Sequence, residues 1–313
     1  MMKMNPVLKK ELKVRTRSWR MPVTISLYLF LICGFLGLIA SQMVFGYRYY
    51  RGIRVEELKA LYAAITIFQL ILIAFIIPAT TASSICGEKE RRTFDLLLCT
   101  RLSSLSIVLG KLSAALSLMV LLLIVTIPIF SIFFLFGVIT PGSVLLLFAY
   151  YLVTALLFGS IGIFSSAFFR KTTSSTVFTY FFVLMLMFGT GFCLIIVREF
   201  VGRMDIKNIS DTVKVIYNAV VYMNPMVGIG SILENQFGEG PIKEILLGRK
   251  TNVHLLSPLY YNMSFSFVFS SILLYMTSLK INPMKKFGNK GEDKKNKKNR
   301  KIRKKKDEKI NAG

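Results

Sequence analysis

Long stretches without a charged residue alternate with short charged segments along this chain. The stretches free of Asp, Glu, Lys and Arg are residues 21–47, 60–87, 112–169, 172–197 and 251–279. A helix needs about 20 apolar residues to cross the hydrocarbon core of a bilayer. The third stretch is long enough for two such helices, and Gly137, Pro141 and Gly142 predict a hairpin turn inside it. The pattern therefore predicts six crossings, each α-helical because backbone amides in lipid find no water to bond.

The fold class predicted by this pattern is an all-α integral membrane protein. Its six transmembrane helices are expected at about residues 22–44, 60–84, 108–136, 143–169, 173–197 and 257–280. They form a domain over 21–281, with a cytoplasmic interfacial helix over 1–20 before it and a basic tail over 282–313 after it. The composition agrees, since 54% of the 313 residues are hydrophobic and only 18% are charged, which is too apolar for one water-soluble domain.

Lys and Arg lie mostly on one side of the predicted helices. If the amino terminus is cytoplasmic, 29 of these residues fall on the inner side and 11 on the outer side. Short cytoplasmic loops carry such an excess, so we expect a multi-pass protein of the plasma membrane with both termini in the cytoplasm. Residues 198–256 then lie outside. Within them, the segment 212–236 is interrupted at Asn224-Pro225 and is interpreted as a pair of outer-face or re-entrant helices.

Motifs of common enzyme classes are missing from the sequence. It contains no GxxxxGK[ST] phosphate loop, no HExxH, no CxxC and no GxSxG. The single histidine, His254, has no second His or Cys near it in the sequence, and all 16 acidic residues lie outside the uncharged stretches. We therefore expect that the chain is not an enzyme and that it holds neither a metal nor a cofactor.

The amino-terminal segment NPVLKKELKVRTRSWR, residues 5–20, interleaves apolar with basic side chains. Pro6 can begin a helix, and Trp19 is typical of the lipid headgroup layer. The segment is therefore interpreted as an interfacial helix that leads into the first span. The alternative is a basic flank that only orients the chain in the membrane.

The loop after the second span has the sequence GEKERRTFDLLLCTRLSSLSIVLGK, residues 87–111. Its charges are of both signs, and Glu88 precedes Arg92 by four residues, a spacing that favours a helix. The apolar residues that follow recur at helical spacing: Phe94, Leu97, Leu98 and Leu102. We expect a short amphipathic helix at the inner membrane face, with one side for lipid or neighbouring spans and the other for a soluble partner. The alternative is a solvated turn between two spans.

The order of these segments resembles that of the permease subunits of type-2 ATP-binding cassette (ABC-2) transporters. The resemblance is carried by NPVLKKEL at 5–12, GEKERRTFDLLL at 87–98, an uncharged helix pair with a Pro-Gly turn, GIFSSAFFRKT at 162–172 and YMNPMVGIGSIL at 222–233. The GEKERRTFDLLL motif is the most specific of them. Arg92 stands where family members often have Gly, and the basic tail is not part of the family pattern.

The resemblance implies a transport subunit that takes its energy from a separate cytoplasmic ATPase. In the family, the segment that matches residues 87–105 docks on that ATPase, and ATP and Mg²⁺ are bound by the ATPase chain. Two permease chains, like or unlike, line one pathway, and export is the implied direction. In this chain the resemblance assigns ATPase coupling to the following residues: Gly87, Glu88, Lys89, Glu90, Arg91, Arg92, Thr93, Phe94, Asp95, Leu97 and Leu98.

Small residues form one face of two predicted spans, which suits close helix packing. In the fourth span they are Ala155, Gly159, Gly162 and Ser166, and in the first they are Gly34, Gly37 and Ser41. Buried polar residues are predicted in the second and fifth spans: Thr66, Gln69, Thr179 and Tyr180. These four are candidates for a substrate pathway, and the alternative role for them is hydrogen bonding between helices.

The carboxy-terminal residues 285–313 include fourteen Lys and Arg and almost no hydrophobic side chain. Such a segment cannot form a core, so we expect it to be disordered and to contact the anionic inner leaflet of the membrane. Nucleic-acid binding is not expected, because no aromatic residue is interleaved with the basic run to stack on bases.

A second function is compatible with the same sequence. A membrane assembly or sensory subunit would use the loop after the second span to tether a cytoplasmic partner without moving any substrate. The two functions differ in substrate-dependent ATP hydrolysis, which only the transport subunit would support.

Overall fold

The fold is taken from a computed structural model, which describes residues 18–45, 55–94, 103–192, 222–237 and 258–281, together with Lys9, Glu11, Lys13 and Val220. Regular structure in this part of the chain is helical, without a strand. The helices are α1 (Arg20–Phe45), α2 (Val55–Thr81), α3 (Cys86–Glu90), α4 (Ser104–Leu135), α5 (Pro141–Phe168), α6 (Thr172–Leu184), α7 (Pro225–Phe237) and α8 (Pro258–Ile281). A π-helical turn, Met185–Gly189, continues α6.

Six helices among the described residues are long and apolar enough to cross a membrane: α1, α2, α4, α5, α6 with its π-helical turn, and α8. The predicted all-α membrane fold with six transmembrane helices is therefore confirmed. α7 begins at Pro225, at the predicted break in the outer segment. Most of the predicted interfacial helix, the basic tail, and the residues 198–256 other than Val220 and 222–237 lie outside the described residues.

α5 is the central helix of the bundle. It packs against α2, α4, α6 and α8, and 56% of its membrane-crossing stretch is buried, against 11% for α1. Tyr150 and Tyr151 of α5 are fully buried. Beside them, Tyr62 of α2 makes edge-on ring contacts with Phe130 and Phe133 of α4, at 5.8 and 5.5 Å between ring centres. The core of the protein is therefore built around α5, and α1 lies at its edge.

The hairpin between α4 and α5 lies at the predicted position. Gly137 has a φ of 68°, in the left-handed region that glycine adopts without a steric penalty. Thr140 then caps α5, since its Oγ1 accepts a hydrogen bond from the amide of Ser143 at 3.4 Å. Pro141 occupies the first turn of α5, where no amide donor is needed. This short connection makes α4 and α5 antiparallel neighbours.

The small residues of α5 lie in close contact with α2 and α4. A Cβ atom added at Gly162 would lie 2.0 Å from Oγ1 of Thr81, and one added at Gly159 would lie 2.8 Å from Cδ1 of Leu112. Ala155 on the same face is also buried. At these positions α5 approaches its neighbours to a distance that a larger residue would not allow.

The glycines of α1 have no such neighbours. A Cβ atom added at Gly34 or Gly37 would meet nothing within 4 Å. α1 packs on α2 and α4 through Tyr28 and Ile32, which are buried against residues such as Leu122. Among the residues that the structure describes, the packing expected of Gly34 and Gly37 is therefore not found, because large side chains occupy the face of α1 that meets the bundle.

Gly162→Ala should destabilise the folded protein by about 1–3 kcal/mol, because the new methyl group overpacks the contact with Thr81. The matched control is Gly37→Ala, which makes the same change in a helix where space is open. Thermal unfolding of the purified protein in detergent measures both. Equal melting temperatures for the two variants would contradict the close approach of α5 and α2.

Candidate functional site

The loop between α2 and α4 contains a one-turn helix, α3, whose end has a defined geometry. The amide of Thr93 donates to the carbonyl of Glu88 at 2.9 Å, and the amide of Arg92 donates to the carbonyl of Lys89 at 3.1 Å. This pair of bonds is the Schellman motif, which ends a helix and places its C′ residue in the left-handed region, usually a glycine. Arg92 is that residue here, with a φ of 57°. The geometry explains why glycine suits this position in the family pattern.

Glu88 of α3 is paired with a buried lysine of α4. The side chain of Lys111 is only 2% exposed, and its Nζ lies 2.9 Å from Oε1 of Glu88 and 3.4 Å from Oε1 of Glu11. The same Nζ donates to the carbonyl of Ser84 at 2.8 Å. A buried ammonium group is costly unless paired and hydrogen-bonded, and these three acceptors meet that requirement. Lys111 thereby joins α4, the loop and the amino-terminal segment.

Lys89 is directed to the carboxy-terminal end of α5. Its Nζ donates to the backbone carbonyl of Ala167, and the carbonyls of Ser166 and Phe169 lie at 3.4 and 3.5 Å. The last carbonyls of a helix have no partner within it and carry partial negative charge, so they favour a cation. The same Nζ lies 5.7 Å from the ring centre of Phe94.

Glu90 is directed to the amino-terminal end of α6. Its Oε1 accepts a hydrogen bond from the amide of Thr172 at 2.8 Å, and its Oε2 lies 3.1 Å from the Thr172 hydroxyl. Lys171, the N-cap residue of α6, makes no side-chain cap. Glu90 supplies the missing acceptor, and its negative charge suits the positive end of the helix dipole. Glu88, Lys89 and Glu90 therefore contact three different membrane-crossing helices.

The turn that precedes α3 is bonded to the same helices. The hydroxyl of Ser166 in α5 accepts hydrogen bonds from the amides of Ile85 and Cys86 at 2.8 and 2.9 Å. The hydroxyl of Ser175 in α6 donates to the carbonyl of Ala82 at 2.7 Å. Ser166, expected only as a small packing residue, also holds the backbone of this turn.

The residues that follow α3 differ in their exposure to solvent. Arg91, Arg92 and Thr93 are exposed, whereas Phe94 is buried in an apolar cluster with Val108 and other residues of α4 and α5. Among the charged residues predicted for ATPase coupling, Glu88, Lys89 and Glu90 thus bond to other helices of the chain, whereas Arg91 and Arg92 face solvent. The hydroxyl of Thr93 lies 3.3 Å from the carbonyl of Glu88. Of the remaining predicted residues, Gly87 is half-buried, and Asp95, Leu97 and Leu98 lie outside the described residues.

The four predicted pathway residues lie at contacts between helices. Thr66 and Gln69 of α2 are fully buried, and Nε2 of Gln69 lies 3.4 Å from Oγ1 of Thr126 in α4. Thr179 of α6 bonds to Ser165 of α5. The fourth residue, Tyr180, donates its hydroxyl to the carbonyl of Phe75 in α2 at 2.8 Å. Gln69, Thr179 and Tyr180 thus bond to another helix, which is the alternative role considered for them. The hydroxyl of Thr66 instead donates to the carbonyl of Tyr62 within α2 at 2.8 Å.

Several residues of the polar network were not singled out from the sequence. At the opposite end of the bundle from α3, Nδ2 of Asn262 in α8 donates to the carbonyls of Tyr222 and Asn224 at 2.7 and 3.0 Å. Nδ2 of Asn224 donates to the carbonyl of Met187 in the π-helical turn at 3.1 Å, and the Tyr150 hydroxyl lies 2.9 Å from Oδ1 of Asn262. The Asn224-Pro225 break was the sequence signal for this cluster. Lys111 gave a comparable signal as the lone cation between residues 102 and 169.

Replacing Lys111 with Met should destabilise the protein by about 1–3 kcal/mol, because the carboxylate of Glu88 loses its partner in a partly buried position. The double variant Lys111→Met/Glu88→Leu removes both charges and should recover part of that loss. Thermal unfolding in detergent measures both. Glu88→Leu alone is measured in the same way. If the double variant lost as much stability as the two single variants together, the pairing of these residues would be excluded.

Arg92→Gly should be more stable than Arg92→Ala by about 1 kcal/mol, because only glycine adopts the left-handed conformation without steric cost. Both variants remove the same charge, so their difference isolates the backbone conformation. Chemical or thermal unfolding provides the comparison. Equal stability would show that residue 92 is not left-handed.

Comparison with known proteins assigns the sequence to a family. Residues 5–279 match the family described as ABC-2 family transporter protein, while no curated protein matches the sequence. The matched region includes the six membrane-crossing helices up to Leu279 and the whole of α3. Because it covers most of the 313 residues, the chain belongs to the ABC-2 transporter family, as a multi-pass permease component of an ABC transporter.

Proposed function

We propose that a separate cytoplasmic ATPase docks on the loop between α2 and α4 and drives export of a substrate through this permease. The observation that carries the proposal is the division of the loop into two faces. One face, formed by Glu88, Lys89 and Glu90, bonds to α4 through Lys111 and to the ends of α5 and α6, and the other exposes Arg91 and Arg92. A force applied to the exposed face would reach three membrane-crossing helices through short polar contacts.

The chain itself has no enzymatic role in this proposal. ATP and Mg²⁺ are bound by the partner ATPase, and the permease holds no cofactor or metal of its own. The protein lies in the plasma membrane with both termini in the cytoplasm, and the basic tail contacts the anionic inner leaflet. A second permease chain, a copy of this one or a relative, completes the pathway.

Glu88 and Glu90 support docking indirectly, as the residues that hold α3 in place. Charge reversal of both would separate Glu88 from Lys111 and leave the amino-terminal end of α6 without its acceptor. Such a variant would still insert in the membrane, because the apolar helices are unchanged. Transport-coupled ATP hydrolysis would fall, because the loop no longer transmits a force to the helices.

Arg91→Glu/Arg92→Glu should lower the amount of ATPase that copurifies with the permease by at least tenfold, since charge pairs at a protein interface contribute about 1.5 kcal/mol or more. Arg91→Lys/Arg92→Lys retains the charges and serves as the matched control. The measurement is quantitative copurification of the ATPase from cells that express the transporter. Undiminished copurification by the reversed variant would reject docking on this face.

The tether function is tested separately, with the wild-type complex in proteoliposomes. A transport subunit should change the rate of ATP hydrolysis when candidate substrates are added, and a tether should leave that rate constant. The family membership favours transport, so the tether stands as the second candidate.

A further inference from the structure

The turn between α5 and α6 is held against α3 from both sides. Lys89 bonds to the last carbonyls of α5, including that of Phe169, and Glu90 bonds to the first amide of α6, that of Thr172. Arg170 and Lys171 lie between these two contacts and are exposed. The position of their backbone is thus set by α3, although they belong to a different cytoplasmic loop.

The charges at this surface are unevenly engaged. Glu88 pairs with Lys111, Glu90 accepts hydrogen bonds from Thr172, and Lys89 donates to carbonyls of α5. Four cations that directly follow α3 or lie in the turn between α5 and α6 are exposed: Arg91, Arg92, Arg170 and Lys171. No ion pair among the described residues involves any of these four.

The conformation of Arg92 argues that these cations serve more than membrane orientation. The positive-inside rule requires basic residues in cytoplasmic loops but not at any particular position. Arg92 occupies a left-handed position that costs a side-chain-bearing residue about 1–2 kcal/mol. A cation that only orients the chain is equally effective at a neighbouring position without this cost, so orientation alone does not account for an arginine at position 92.

We propose that Arg91, Arg92, Arg170 and Lys171 form one composite cationic surface, and that the docked ATPase presents an acidic surface to it. This inference rests on the proposed function and extends the docking site to a second cytoplasmic loop. Attraction between the two surfaces would align the ATPase with α3 and with the ends of α5 and α6 together. It would also weaken as salt screens the charges.

The test compares charge reversal in the second loop with reversal of a matched cation. Arg170→Glu/Lys171→Glu should reduce ATPase copurification at least fivefold. The control, Lys280→Glu, changes an exposed cation of α8 that lies over the Phe168 ring near the same end of α5, and it should retain the wild-type amount. Raising salt from 0.05 to 0.5 M should release more ATPase from the wild type than from Arg170→Gln/Lys171→Gln.

Membrane insertion is checked in each variant by its yield as a single species on size exclusion, and the neutral Gln variant serves if the Glu variant inserts wrongly. Full ATPase retention by the Gln variant, with unchanged salt dependence, would overturn the inference. The inference would also be overturned by a variant that keeps its ATPase and loses only its binding to vesicles of anionic lipid, because Arg170 and Lys171 would then face the membrane. Wild-type permease that retains no ATPase at low salt would instead refute the proposed function.

Discussion

Charged residues at a membrane surface ordinarily face water, but three consecutive ones in this protein bond to the ends of membrane-crossing helices. Glu88 reaches α4 through Lys111, Lys89 reaches the last carbonyls of α5, and Glu90 reaches the first amide of α6. The sign of each charge suits its target. Glu88 meets the ammonium group of Lys111. Glu90 meets free amides at the amino-terminal end of a helix, which favours an anion, and Lys89 meets free carbonyls at a carboxy-terminal end, which favours a cation. These contacts add to the bonds of Ser166 and Ser175 to the preceding turn and hold the five-residue helix α3 against the bundle.

Polar contacts also hold the other side of the bundle together. Asn224 and Asn262 bond to backbone carbonyls, one of them in the π-helical turn that continues α6. A π-helical turn leaves backbone groups without their usual partners, and in lipid each must find another. α6 is therefore bonded at its amino-terminal end to α3 and, within the π-helical turn that continues it, to the segment that begins α7. A displacement at either end would be felt along the same helix.

Much of the fold could be predicted from the sequence, because the bilayer imposes a length on every apolar stretch and forces it to be helical. The hairpin at Gly137 and the break at Asn224-Pro225 were predictable for a local reason, since glycine and proline have conformational rules of their own. The roles of Lys111, Glu88 and Glu90 were not, because their partners lie in other parts of the chain and charge spacing does not reveal them. For Gly34 and Gly37 the sequence predicted a packing contact that the described residues do not provide. A small-residue pattern indicates only that close packing is possible, and in α1 the large side chains determine which face meets the neighbouring helices.

The most direct measurement is the accessibility of a single cysteine placed at position 92, in a chain whose four natural cysteines have been replaced. A membrane-impermeant maleimide is applied to intact cells and to permeabilised cells. A docking surface for a cytoplasmic ATPase predicts labelling only after permeabilisation. Labelling in intact cells would place α3 on the external side and contradict both the docking and the transmission of force through it.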